Sequence, residues 1–198
     1  MPGSVAAILL AAGASRRMGT CKQLLQLEGK TVLARCLETL LHGGIAEIVV
    51  VVAPSGDEVP GAAACYPVRV VRNAQPDGDM AASICTGRAA LPATVTGVVV
   101  ALCDYPLVRA ETIASLAEAH RQAPGHIIVP CHDGHRGHPP LLPRQLLDAL
   151  EMPLTLRDLL RDNKELIHHL ELPDDGVLID MDTPEDYHRI AAMHRPET

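Results

Sequence analysis

Two sets of residues in this chain have types and spacing that could do chemistry. The first lies near the start: Leu10-Ala11-Ala12-Gly13-Ala14-Ser15, followed by Arg16, Arg17 and Lys22. A loop of small residues lets backbone N–H groups face phosphate oxygens, with no side chain obstructing the approach. Gly13 supplies the tight turn or close backbone contact that such a loop needs. Arg17 and Lys22 supply countercharge for a polyphosphate. The second set is acidic. Asp104 follows the apolar run Gly97 to Cys103, and Asp180-Met181-Asp182-Thr183-Pro184-Glu185-Asp186 leads into the last helical stretch. A lone carboxylate beyond a buried strand can bind Mg2+ while phosphates and waters fill the other positions. Plainer readings stand beside these: Asp104 as a turn residue ahead of Pro106, and Asp182 or Thr183 as a helix cap.

Other chemistries fit less well. The Walker loop needs Gly-x-x-x-x-Gly-Lys-Ser/Thr, which is absent. The chain has Gly13 and then Gly19 with no glycine between, so Gly-x-Gly-x-x-Gly is absent too, which disfavours a dinucleotide-binding oxidoreductase. No Ser-His-Asp or Cys-His constellation is legible. Cys131, His132, His135 and His138 have zinc-ligand types, but Gly/Pro breaks interrupt them and no second pair elsewhere closes a tetrahedral site.

The elements that must position these residues follow from hydrophobic pattern. Val5 to Leu10 is a continuous apolar run, which predicts a strand buried on both faces. Thr31 caps a helix to about His42, stopped by Gly43-Gly44. Strands are expected at 45–53, 68–71, 97–102 and 126–130, and helices at about 57–65, 80–91 and 112–122. Strands alternating with helices predict a parallel sheet with right-handed crossovers. In the last third, 131–140 reads as a loop, 141–150 and 155–163 as short helices, 166–172 and 177–180 as edge or antiparallel strands, and 183–193 as a closing helix. Pro184 suits the first turn of that helix.

The 198 residues suffice for one sizeable core, and no linker or repeat interrupts them, so a single domain over 1–198 is expected. With no Phe or Trp and three Tyr, the core must be aliphatic. That suits a helix-covered sheet and gives little for single-stranded nucleic acid to stack on. A net charge of −7 (17 basic against 24 acidic residues) opposes non-specific binding to nucleic acid or an anionic membrane. Six scattered cysteines without Cys-x-x-Cys, no basic leader and no membrane-length apolar run predict a reduced, cytoplasmic protein.

Leu10 to Lys22 resembles the nucleotidyltransferase signature Leu-Ala-Ala-Gly-x-Ser-x-Arg-Met-Gly-x-x-Lys at every fixed position. Asp104 before Pro106, Gly137-His138-Pro139 and Asp180 to Asp186 extend the likeness along the chain. It resembles the MobA-like NTP transferases, and among them the molybdenum cofactor cytidylyltransferases most. The resemblance implies a three-layer α/β/α fold with a mostly parallel, Rossmann-like sheet of the nucleotidyltransferase, glycosyltransferase-A-like, type. It implies nucleotide binding by Leu10 to Ser15, Arg17, Lys22, Gly78, Ser83 and Asp104. Catalysis falls to Arg17, Lys22 and Asp104, with Mg2+ on Asp104 and Asp182. Gly137, His138 and Pro139 lie on the acceptor side, where His138 could bond a phosphate or a pterin. The implied reaction joins CMP from CTP to a molybdopterin-type phosphate, ahead of a recipient molybdoenzyme. Leu-Ala-Ala-Gly rather than Leu-Ala-Gly-Gly leans toward CTP. The usual Asp-Met-Pro is Asp104-Tyr105-Pro106 here. A sugar, polyol or choline phosphate acceptor, or a non-catalytic cofactor carrier, are the alternatives.

Overall fold

The computed structural model describes residues 4–13, 20–75, 80–150 and 155–193. In chain order the elements are β1 (Ser4–Ala11), β2 (Gln26–Leu27), β3 (Lys30–Thr31), α1 (Val32–His42), β4 (Glu47–Val52), α2 (Glu58–Ala63), β5 (Arg69–Arg72), α3 (Met80–Ala89), β6 (Val95–Leu102) and α4 (Ala110–Gln122). There follow β7 (Ile127–His132), β8 (His135–Arg136), β9 (Leu141–Pro143), α5 (Arg144–Asp148), α6 (Leu156–Asp162), β10 (Ile167–Glu171) and α7 (Pro184–Met193). Among the described residues the main sheet runs β10-β7-β9-β6-β1-β4-β5, with β8 hairpinned onto β7.

The central strands β1, β4 and β6 are buried on both faces, which is why they read as nearly unbroken apolar runs, whereas the edge strands β5 and β10 are part-exposed. Along β1, Ala7, Leu9 and Ala11 face a core shared with α1, α4 and α7. Ala6 and Ile8 face the opposite core, shared with α3, α5 and α6. The result is a mostly parallel, three-layer α/β/α architecture, as expected. Helix α1 shows the local logic. Thr31 Oγ1 accepts the Ala34 N–H as its cap, and Val32, Leu33, Cys36, Leu37 and Leu40 form its buried stripe. Each such leucine contributes about 1.5–3 kcal/mol on leaving water.

Three expectations need correction. Residues 141–150 are not one helix: Leu141–Pro143 is β9, antiparallel between β6 and β7, and only Arg144–Asp148 is helical. Pro143 pushes the residue before it, Leu142, toward extended backbone, and Leu141 and Leu142 bury themselves in opposite cores, as only a strand allows. Residues 177–180 are not a strand. The Asp174 carboxylate accepts N–H groups from Gly176 and Arg109 and the Thr112 hydroxyl, and so captures a 3-10 turn at Asp175–Leu178. The 131–140 loop contains a hairpin, with His132 paired to His135 across Asp133 (φ 49°) and Gly134 (φ 74°).

Candidate active site

The site forms where β1 and β6 end. They pair in parallel, with Leu10 opposite Leu102, so the Gly13 loop and Asp104 leave the sheet at one edge. Lys22 reaches that edge from the short 3-10 turn Lys22–Leu24. Its Nζ donates to Asp104 Oδ2 at 3.0 Å, to Asp182 Oδ1 at 3.0 Å and to the Met181 carbonyl at 3.3 Å. The Met181 N–H in turn donates to the Asp104 carbonyl at 2.8 Å, binding the approach to α7 against the end of β6. Residues 22, 104 and 182 therefore converge although they lie on three separate connections.

Asp104 does sit in the turn after β6, closed by the Tyr105 N–H on the Leu102 carbonyl at 3.3 Å, whereas the plainer role for Asp182 is filled otherwise. Thr183 and Asp186 cap α7 reciprocally: the Asp186 carboxylate accepts the Asp182 and Thr183 N–H groups, and Thr183 Oγ1 accepts the Asp186 N–H. These bonds, the Thr183 side chain first, lower the Asp186 pKa. The Asp182 carboxylate is left to face Lys22. Asp104 Oδ1 is buried with no hydrogen-bond partner among the described residues. Burial opposes the charge on Lys22, but Asp104 and then Asp182 outweigh it and raise its pKa. Two carboxylates already hold one cation here, and one further buried oxygen awaits a partner. That donor set fits a hard divalent cation.

The other expected residues fall as follows. Leu10 is part-buried at the end of β1, and its carbonyl accepts the Cys103 N–H at 3.1 Å. Ala11 is buried, Ala12 part-buried and Gly13 exposed. Ala14, Ser15, Arg17 and Gly78 lie outside the described residues. Ser83 is buried in the first turn of α3, and its Oγ accepts from Asn73 Nδ2 at 3.0 Å. That bond ties α3 to the end of β5.

Gly137, His138 and Pro139 close over the same edge. The Gly137 N–H donates to the Pro130 carbonyl at 2.7 Å and the His138 N–H to the Val177 carbonyl at 2.8 Å. A Cβ on Gly137 would stand 2.5 Å from Val177 Cγ2 and 2.7 Å from its carbonyl oxygen. His138 stacks on Tyr105, ring centroids 4.9 Å apart and planes 23° from parallel. Tyr105, where the resembled pattern has methionine, thus joins the Asp104 segment to the Gly-His-Pro segment. Burial pushes the His138 imidazole down to about 4, against smaller opposing effects from Asp104 and a bond to the Val100 backbone. It is neutral at pH 7, offering a hydrogen bond but no charge. The zinc-type residues of 131–138 do not gather. Among the described residues the group within ligand reach is His132, Asp133 and Glu171, without Cys131, His135 or His138.

Two features escaped the sequence reading. Gln23, nearly fully buried, donates from Nε2 to the Ala11 carbonyl at 3.1 Å and the Gly13 carbonyl at 3.0 Å. It fixes the backbone just where β1 ends. A cleft also opens beyond β1 and β4, lined by Ala11, Gly13, Gln23, Val52, Ala53 and Ser55. Its one sequence signal is the Pro54-Ser55-Gly56 turn directly after a buried strand.

A family model described as "MobA-like NTP transferase domain" matches residues 7–171. Nicotine blue oxidoreductase from Paenarthrobacter nicotinovorans is 31% identical over 198 residues, spanning 94% of this chain and 96% of that protein. The crystal structure of Rv0371c from Mycobacterium tuberculosis H37Rv shares 27% identity at a TM-score of 0.83, covering 97% of this chain and 100% of that one. The same protein in complex with manganese gives 24% identity and a TM-score of 0.78, covering 96% and 98%.

Proposed function

The chain belongs to the family of MobA-like NTP transferases, and from that premise we propose that it transfers CMP from CTP to the terminal phosphate of a molybdopterin-type acceptor, releasing pyrophosphate. The observation that carries the reading is the Lys22 ammonium held between Asp104, just beyond β6, and Asp182. The whole chain, 1–198, acts as one nucleotidyltransferase domain in the cytoplasm. No described helix is long and apolar enough to cross a membrane.

The chemistry follows from charge. A phosphate acceptor is already ionised near neutral pH, so attack on the α-phosphorus needs no strong general base. Catalysis is then positioning and neutralisation of charge. The backbone of Leu10 to Ser15 cradles the triphosphate, and Lys22 and Arg17 take up charge on the departing pyrophosphate. Gly78 and Ser83 border the base and ribose, and the Ala12 methyl narrows the base side in favour of cytosine. One methyl gives roughly 1–3 kcal/mol of discrimination at most. Gly137, His138 and Pro139 face the acceptor, which a recipient molybdoenzyme then takes. Asp104 and Asp182 would hold Mg2+, which supplies a Lewis acid at the transferring phosphoryl group. The manganese complex of Rv0371c supports a divalent cation in a protein of this fold.

A second reading has one observation in its favour, the near-full-length similarity to a protein named nicotine blue oxidoreductase. The lack of Gly-x-Gly-x-x-Gly weighs against it. One experiment separates the two. The protein is mixed with each NTP, Mg2+ and molybdopterin cofactor, and pyrophosphate is measured. In parallel, NADH and NADPH oxidation is followed with nicotine blue as the acceptor. Pyrophosphate release favouring CTP supports the proposal, and reduced-nicotinamide oxidation without pyrophosphate overturns it. Sugar, polyol and choline phosphates serve as competing acceptors.

A further inference from the structure

The position of Lys22 bears on the order in which metal and nucleotide bind, an inference that rests on the nucleotidyltransferase reading. Its Nζ lies 3.0 Å from one oxygen of Asp104 and 3.0 Å from one oxygen of Asp182. A Mg2+ ion takes carboxylate oxygens at about 2.0–2.1 Å, so a small contraction of the two side chains would seat it where the ammonium now stands. The two cations cannot share that point. The Met181 carbonyl, 3.3 Å from Nζ, strengthens the hold on lysine.

We infer that Lys22 is a placeholder cation, which keeps the two aspartates apart and occupied until a triphosphate draws it away. Withdrawing the ammonium without nucleotide would strip a part-buried charge of two carboxylates and a carbonyl. A bound triphosphate offers it replacement anions. The carboxylates that Lys22 has left, and the Asp104 oxygen that has no partner among the described residues, then receive the metal. Metal and nucleotide therefore bind with positive coupling, and by linkage each raises the other's affinity by one factor. The bare protein is a poor metal binder by construction.

The test measures Mn2+ binding, by electron paramagnetic resonance and calorimetry, to nucleotide-free wild type, Lys22→Met and Lys22→Arg. Thermal melts confirm that each is folded. Lys22→Met should bind Mn2+ about tenfold or more tightly than wild type, within the usual range of coupling between sites. Lys22→Arg, which keeps the charge, should stay close to wild type. If Lys22→Met does not fold, Lys22→Gln takes its place. In wild type a non-hydrolysable CTP analogue should tighten Mn2+ binding, and the neutral variant should lose most of that gain. A folded neutral variant that binds Mn2+ no better than wild type without nucleotide overturns the inference. That readout uses neither CTP nor an acceptor, so it is separable from a wrong substrate assignment, which would appear as wild type releasing no pyrophosphate.

Discussion

The Cys103 N–H donates to the Leu10 carbonyl at 3.1 Å, locking the last turn of the chain on β6 to the end of β1. Because Leu10 is also the register partner of Leu102, the Gly13 loop and Asp104 emerge side by side. A one-residue slip of either strand would turn every side chain to the other face and separate them. The relative placement of Gly13 and Asp104 is thus set by the pairing of two apolar strands.

Asp104→Ala and Lys22→Ala should each lower turnover by about a hundredfold or more, the range seen when one charge-stabilising group is lost. Both side chains sit at the sheet edge, so the fold should survive. Pyrophosphate release with Mg2+ checks activity, and circular dichroism checks the fold. Near-normal turnover of Asp104→Ala would reject its metal role.

Gln23→Leu removes two donors from the Ala11 and Gly13 carbonyls while preserving bulk. Each bond contributes about 0.5–1.5 kcal/mol net, so the nucleotide KM should rise by roughly tenfold as the loop loosens. Titrating nucleotide at saturating acceptor measures it. A change confined to kcat would mean that Gln23 does not set the loop for binding.

Gly137→Ala forces a Cβ to within 2.7 Å of the Val177 carbonyl, which is backbone and yields little. Overpacking of this kind costs about 1–3 kcal/mol, a drop of roughly 2–4 °C in Tm per kcal/mol at this chain length. Calorimetry gives the value. An unchanged Tm would show that the turn at Asp175–Leu178 moves freely, contrary to its anchoring by Asp174.

Stability should fall with acid through His138. Its folded pKa is about 4 against an ordinary 6.5, so between those values the unfolded chain binds a proton that the folded protein refuses. Stability rises with pH wherever the unfolded state binds more protons. The contribution is therefore neutral above about pH 6.5 and increasingly unfavourable toward pH 4. Buried His120, its pKa also lowered by burial, acts in the same direction. His138→Phe keeps a ring against Tyr105 and should flatten the slope of Tm against pH across that window. A slope equal to wild type would place the acid sensitivity elsewhere.

By itself the sequence determined the periodicity of β1, β4, β6 and α1, because burial on both faces of a sheet, or on one stripe of a helix, writes itself into neighbouring residues. It also marked Lys22, Asp104 and Asp182, whose types suit phosphate and metal. Tertiary structure alone decided that those three meet, since residues 82 and 160 positions from Lys22 come together only through strand pairing and the packing of α7. It captured Asp175–Leu178 as a turn through Asp174, in place of a strand over 177–180, and placed Leu141–Pro143 in the sheet. In each case a contact distant in sequence outweighed a local preference of about a kcal/mol.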